Sequence, residues 1–324
     1  MIRTSLKALV ITTLISSILY AADDTVIYKG YLNITYDSSK NSIMAGSTTA
    51  TAKGYSAMGS NPAGLSTNHN AAIYARAIEL EVSDEQDKVI TKNSPTPAIG
   101  VLYDSFGVEV KKDNYALGGA AYGYESGYGL FSFGVSYLYD MTDLTQKSTS
   151  VDQKDEFATG NYITYGAMWQ KSFIDDEDFY AIYLGYSHKN SSQYSGDNNV
   201  EITPISPSRS SFGLGLETNA YDTAVLFTYD YTTEYWQSVS ETLSGSAYGL
   251  KWMINQKFAV AGGMKNQVFS GSILKDIKTN GAGFEFGFLG LHTVIGVTER
   301  IANYQNGEQY LKETAVHIDA ALTF

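Results

Sequence analysis

The chain has 324 residues, 44% of them hydrophobic and 17% charged, with a formal net charge of −12. This composition excludes a disordered chain, and the acidic balance argues against broad nucleic-acid binding, which needs a basic patch. Cysteine is absent, which removes disulfide frameworks, thiolate zinc sites and cysteine nucleophiles, while 26 tyrosines against 14 phenylalanines suit an apolar surface with a wet rim.

Residues 1–22 have the layout of a secretory signal peptide. Arg3 and Lys7 precede a short apolar core over 8–19, and Tyr20-Ala21-Ala22 offers a cleavage site before Asp23-Asp24. The apolar core is too short and wrongly flanked for a spanning helix. No cysteine follows it to carry a lipid anchor, and no later stretch approaches the ~20 apolar residues that a membrane helix needs. The chain is therefore expected outside the cytoplasm, with the signal removed.

Residues 23–68 follow with little periodicity. The stretch over 44–66, MAGSTTATAKGYSAMGSNPAGLS, is rich in Gly, Ala, Ser and Thr, and Asn61-Pro62 demands a turn. One reading is an exposed linker, since chain ends are often poorly ordered. The other is a segment whose small side chains let its backbone pack against a wall or thread a crowded lumen.

From residue 69 to 324 the dominant signal is period two. Phe131, Phe133, Val135, Tyr137 and Tyr139 alternate with Ser132, Gly134, Ser136 and Leu138, and similar runs recur around 163–169, 212–217, 225–231 and 282–288. A soluble sandwich would bury the apolar face; a transmembrane barrel turns it to lipid. The export signal, the tyrosines near strand ends and the last run favour the barrel. That run places Val316, Ile318, Ala320, Leu322 and Phe324 on one face, and a terminal Phe324 resembles the assembly signal of bacterial outer-membrane barrels. The five prolines fall outside or at the edge of the runs, as a paired ladder requires.

Strands are predicted near 70–83, 115–124, 128–142, 157–173, 178–189, 209–218, 222–232, 245–253, 257–266, 280–288, 290–300 and 312–324. Long connections are expected over 143–156, 190–208, 233–244, 267–279 and 301–311. The run over 98–112 is one strand or two; splitting it near Asp104-Ser105 keeps an even number. The fold class is thus all-β, a transmembrane antiparallel barrel of about 14 strands, with 12 as the alternative. Inward Gly134, Gly166, Gly185, Gly213 and Gly287 would leave room for a plug or a ligand.

An Ala-Gly pair in a small-residue stretch, followed by Asn-Pro-Ala-Gly-Leu, resembles the N-terminal hatch of the FadL/TodX family of outer-membrane transporters. The residues are Ala45, Gly46, Asn61, Pro62, Ala63, Gly64 and Leu65. PorV-like secretion barrels carry similar Asn-Pro-Ala segments. Where the family usually has acidic residues between the two motifs, this chain has Lys53-Gly54. The resemblance implies a fourteen-stranded barrel plugged by residues 23–68. It also implies passive transport of long-chain fatty acids or aromatic hydrocarbons. The implied partners are a hydrophobic ligand, outer-membrane lipid with lipopolysaccharide, and the barrel assembly machinery.

Chemical motifs are scarce. His317 and Asp319 share the inward face of the last strand, and a hydrolase would need a serine within reach of His317 or His188. No nucleophile elbow, phosphate loop or dinucleotide fingerprint occurs. The acidic run over 175–178 lacks calcium-loop spacing and reads as a solvated turn. No enzyme, cofactor or metal is expected. A non-transporting outer-membrane interaction or secretion-associated barrel is the second reading.

Overall fold

Alternating side chains satisfy a strand only if its backbone is paired on both edges, and this chain pairs every wall strand by closing the sheet on itself. The computed structural model describes residues 38–83, 89–93, 97–112, 115–140, 160–175, 178–190, 194–195, 201–202, 208–220, 223–236, 241–270, 274–304 and 309–324. The expected signal peptide over 1–22 lies outside the described residues, as do 23–37 and most of the expected connections over 143–156 and 190–208.

The strands are β1 (Ala72–Ser83), β2 (Val89–Asn93), β3 (Ala98–Tyr103), β4 (Phe106–Lys111), β5 (Tyr115–Ser126), β6 (Gly129–Asp140), β7 (Gly160–Asp175) and β8 (Asp178–Lys189). They continue with the short pair β9 (Tyr194–Ser195) and β10 (Glu201–Ile202), then β11 (Ser208–Ala220), β12 (Thr223–Trp236), β13 (Glu241–Asn255) and β14 (Phe258–Phe269). β15 (Leu274–Phe288), β16 (Leu291–Tyr304) and β17 (Gln309–Thr323) complete the set. Consecutive wall strands are antiparallel neighbours, and β17 returns to pair with β1 from Ala72↔Thr323 to Ser83↔Lys312. The result is a closed barrel of fourteen strands, with β2 as an extra piece beside the far end of β1. Among the described wall strands, closure leaves no free edge to recruit another chain.

The run over 98–112 does split. β3 and β4 meet at Asp104-Ser105, where Asp104 has φ 51°. β1 pairs with β3 over Ala72–Arg76 and with β2 over Leu80–Ser83. Pro97 stands immediately before β3, and a proline has no N–H to give a ladder. Leu289 and Gly290 both have positive φ, 51° and 84°, as the tight hairpin between β15 and β16 requires.

Three of the expected long connections are much shorter. β12 runs on to Trp236, β14 to Phe269 and β16 to Tyr304, while β13 starts at Glu241, β15 at Leu274 and β17 at Gln309. The sequence hid these ends because their inward positions are polar and satisfied by each other. Asn303 donates to Asp276 at 2.6 Å and Gln267 to Glu234 at 3.3 Å.

The wall sorts its side chains by face. On β17, Glu313, Ala315, His317 and Asp319 are fully buried inside, while Val316 and Ile318 point outward. Large apolar side chains such as Phe133, Leu250 and Trp252 stay half exposed or more around the outside. Each would forgo about 1.5–3 kcal/mol by remaining in water, so a wall carrying them on every side needs lipid around it. Phe324 closes the chain with its amide donating to Ala71 at 2.9 Å and its ring exposed on that outer face.

The inner wall is bare where the N-terminal segment lies. A Cβ on Gly134 would come within 2.3 Å of the Pro62 backbone, one on Gly185 within 2.4 Å of Thr49 O, and one on Gly263 within 2.4 Å of the Met44 backbone. A Cβ on Gly213 would come within 2.8 Å of the Ala50 amide, and one on Gly166 within 1.9 Å of the Asn61 side-chain oxygen. Gly287, the fifth of the expected inward glycines, does not touch the segment; its nearest neighbour is Leu291 O at 3.9 Å. Gly134→Val is expected to lift the N-terminal segment from the wall by about 1–3 kcal/mol, read as faster hydrogen exchange over 47–67 with unchanged barrel strands. Gly118→Ala, whose Cβ meets nothing closer than 4.0 Å, should leave exchange at the wild-type rate.

Candidate functional site

The plug is built from three short turns of helix, each started by a small residue. Ser38 caps α1 (Ser39–Ile43) by accepting from the Asn41 amide at 3.3 Å. The chain then reverses through Ala45 and Gly46, at φ 52° and 78°, and the Gly46 amide donates back to Asn41 O at 2.8 Å. Gly46 fits a left-handed turn without strain, whereas Ala45 adopts it against its preference. Lys53 and Gly54 form the turn into α2 (Tyr55–Gly59), with the Ser56 hydroxyl donating to Lys53 O at 2.8 Å.

The Asn-Pro-Ala-Gly-Leu stretch is a helix start. Asn61 is the cap of a 3-10 helix (Pro62–Thr67), and its side chain accepts from the Ala63 amide at 3.2 Å. Pro62 takes the first helical position, where its missing N–H is not needed. Asn61 also donates to Thr49 O at 2.6 Å and to Ala167 O on β7 at 3.3 Å. It thus ties together two parts of the plug and the wall. A Cβ on Gly64 would sit 1.9 Å from Ala52 O, so only glycine fits there. Ala63 and Leu65 are fully buried. Pro62 lies against Gly134 and Asn61 against Gly166, near the middle of β6 and β7.

Hydrogen bonds hold the plug around the circumference. Ser39 donates its amide and hydroxyl to Asp319 on β17 at 2.9 and 2.5 Å. Thr49 donates its amide to Asp230 on β12 at 2.9 Å, beside a Ser47–Thr228 hydroxyl pair at 2.8 Å. Ser136 on β6 donates to Met58 O at 2.8 Å and Ser187 on β8 to Ser60 O at 2.5 Å. The anchoring residues on the wall, Asp230, Asp319, Ser136 and Ser187, were not singled out from sequence for this role. Their only signal was a polar residue on the inward side of an alternating strand.

The two sides of the lumen differ. Tyr55, Met58 and Leu65 pack against Tyr74, Leu102, Leu117, Leu138 and Tyr162 from β1, β3, β5, β6 and β7. Tyr55 and Tyr74 stack with centroids 4.8 Å apart, and their buried hydroxyls have no hydrogen-bond partner among the described residues. An Arg76–Glu109 pair, bonded at 2.9 Å, closes this side with Tyr115. The β12–β17 side is ionic, with Lys265–Glu234 at 3.6 Å and Arg300–Glu313 at 3.9 Å. Lys40 of the plug reaches Glu285 at 3.9 Å. Burial holds the Lys40 ammonium below its ordinary pKa, with Glu285 opposing the shift.

His317 faces the lumen but bonds Thr298 at 2.7 Å, not a serine. His188 does reach a serine, Ser210 at 2.8 Å, with Asn190 at 3.1 Å on its other nitrogen. These are cross-strand neighbours of β8 and β11, and the strand amides beside them are engaged in ladders. Acyl transfer also needs free amides to hold an oxyanion. No group of three or more possible metal ligands occurs among the described residues. Asn61→Asp, which keeps the cap but loses both donations, is expected to weaken plug docking by about 1–3 kcal/mol. Increased proteolysis within 47–67, with an intact barrel, is the measurement.

No family model matches the chain, and no curated protein matches it in sequence. Solved structures do. The monoaromatic hydrocarbon channel CymD is 12% identical, with a TM-score of 0.57 over 90% of this chain and 99% of that one. The toluene transporter TodX of Pseudomonas putida is 10% identical, with a TM-score of 0.48 over 93% and 99%. The Ralstonia pickettii toluene transporter TbuX is 12% identical, with 0.49 over 90% and 99%. At these identities a likeness speaks for fold alone, and it is the CymD match that carries it. With the closed ladder, it shows that this chain folds as a fourteen-strand β-barrel resembling bacterial outer-membrane channels for hydrophobic compounds.

Proposed function

We propose that the protein carries hydrophobic small molecules, long-chain fatty acids or aromatic hydrocarbons, across the bacterial outer membrane, with residues 23–68 as the gate. The observation behind this reading is a plug buried inside the barrel, docked through backbone contacts and single hydrogen bonds to strands around the wall. Such contacts separate one by one, whereas a cross-linked plug would not. The apolar side of the lumen is filled by Tyr55, Met58 and Leu65 of the plug itself. A hydrophobic solute takes that side only when the plug shifts, and each buried CH₂ of an acyl chain contributes ~0.8 kcal/mol toward the exchange.

In this reading residues 1–22 are a cleaved export signal, and Ala45, Gly46 and Asn61 to Leu65 are the hatch motif that shapes the gate. The exposed Phe324 at the barrel seam is the handle for the assembly machinery. Outer-membrane lipid and lipopolysaccharide surround the apolar wall. A packed lumen also suits a non-transporting barrel that serves as an interaction or secretion-associated partner, so a functional test must separate the two.

Deleting residues 23–60 from the mature protein is expected to raise single-channel conductance in planar bilayers and to let labelled toluene or oleate into proteoliposomes. A deletion variant that folds, inserts and stays as closed as the full-length protein rejects the gate. Full-length protein that admits neither probe favours the interaction reading. Phe324→Asp is expected to lower surface levels several-fold without loss of the folded barrel refolded in detergent, measured by surface labelling and heat-modifiable gel migration.

A further inference from the structure

The lipid-facing belt is not of even height. Eight residues up from the short-turn end of their strands, β6, β8, β11 and β12 present Tyr137, Tyr186, Phe212 and Tyr231, all exposed on the outer face. At the same count β14, β15 and β16 present Asn266, Asn280 and Glu299. Eight residues of a tilted strand climb about 20 Å, and the apolar band of such a barrel is about 25 Å tall. On this flank polar side chains therefore stand at a height that is apolar on the other.

The pairing of β14 with β15 gathers them. Asn266 is opposite Lys278, and Met264 is opposite Asn280. All four are exposed, while the alternate residues Lys265, Gln267 and Thr279 are buried inside. Directly opposed side chains on one face are about 5 Å apart. Lys275, also exposed, follows in the bulge of β15. Asn266, Lys275, Lys278 and Asn280 have no side-chain partner among the described residues. The acids of this flank are taken. Lys312 holds Glu299 at 2.8 Å, Asp276 is buried and bonded to Asn303, and Glu79 and Glu81 on β1 have partners of their own.

Lipid tails offer an ammonium no counter-charge and an amide no hydrogen-bond partner, so these groups are costly at that height unless something meets them. Two lysines without acids, in a chain whose net charge is −12, fit an anion. Two amides, which both donate and accept, fit sugar hydroxyls. We infer that this flank seats the phosphorylated sugar headgroup of one outer-leaflet glycolipid, with a phosphate on Lys275 and Lys278 and sugar hydroxyls on Asn266 and Asn280. Its acyl chains lie below, along the exposed Val260 and Phe284. The seat is outside the barrel, so it rests on the outer-membrane reading and not on passage through the plug.

The test uses delipidated full-length protein in detergent and native mass spectrometry. Diphosphoryl lipid A is the probe, and the same lipid without its phosphates is the control. One retained diphosphoryl lipid A per barrel is expected, held about tenfold more tightly than the control. Lys278→Gln is expected to weaken retention about fivefold, the scale of a partly exposed ion pair. Replacing Lys275 and Lys278 together by Gln should abolish the preference for phosphate. Lys171→Gln, at a lysine that bonds Gly127 O beside a short turn, should leave retention unchanged. Equal retention of the two lipids, an intact preference in the double variant, an equal loss with Lys171→Gln, or a barrel dimer that the double variant dissolves overturns the proposal. Heat-modifiable migration confirms that each variant is folded. Surface labelling of cells is read separately, so a barrel found at the surface without phosphate preference rejects the seat alone.

Discussion

Everything inside the barrel depends on the direct approach of the plug backbone to a wall stripped of side chains. Gly134, Gly185, Gly213 and Gly263 come from four different strands, yet each leaves the space that a plug carbonyl or amide occupies. Small residues on the plug and glycines on the wall are two halves of one fit. Packing of this closeness has no spare volume, so a single methyl group in the wrong place forces backbone to move. It also makes the plug a poor match for any side of the barrel but its own. The plug passes these glycines in chain order around the lumen: Met44 at Gly263, Thr49 and Ala50 together at Gly213 and Gly185, and Pro62 at Gly134.

The remaining interior is divided between two kinds of contact. On the β1 to β7 side the plug docks through aromatic and aliphatic packing, which is insensitive to charge. On the β12 to β17 side the wall is largely ion-paired with itself, and the plug reaches it through Ser39, Ser47 and Thr49 and through Lys40, 3.9 Å from Glu285. Breaking a buried pair leaves a charge without a partner and is strongly destabilising, so those pairs belong to the wall's permanent structure. The apolar contacts carry no such penalty for separating and meeting again.

Much of the wall was legible in the sequence, because one face meets lipid and the other does not. The runs around Phe133, Tyr165, Phe212 and Phe284 announce their strands through that contrast. At other strand ends that contrast fades. The far ends of β14, β15 and β16 carry Gln267, Asp276 and Asn303, and polar residues on the inward face read as loop. β2 is five residues beside two prolines and left no signal at all. In the plug, Asn61 and Pro62 were legible as a turn since their chemistry is local. That Asn61 also reaches Ala167, 106 residues away, was not. Neither were Asp230 and Asp319 as anchors, because a buried carboxylate and a solvated one look alike until the fold sets what faces them.

The bond between Ser39 and Asp319 spans 280 residues of sequence. Asp319 sits on the strand that also seals the cylinder against β1. Ser39 therefore waits for the end of the chain before it has its wall partner, although Met58 and Asn61 find theirs earlier, on β6 and β7. Long-range contacts of this kind form late. Until then the stretch around Ser39 is an unattached polar thread that competes with no strand for pairing. Sealing of the cylinder and seating of its contents become one event in time, so an unfinished cylinder carries no finished obstruction.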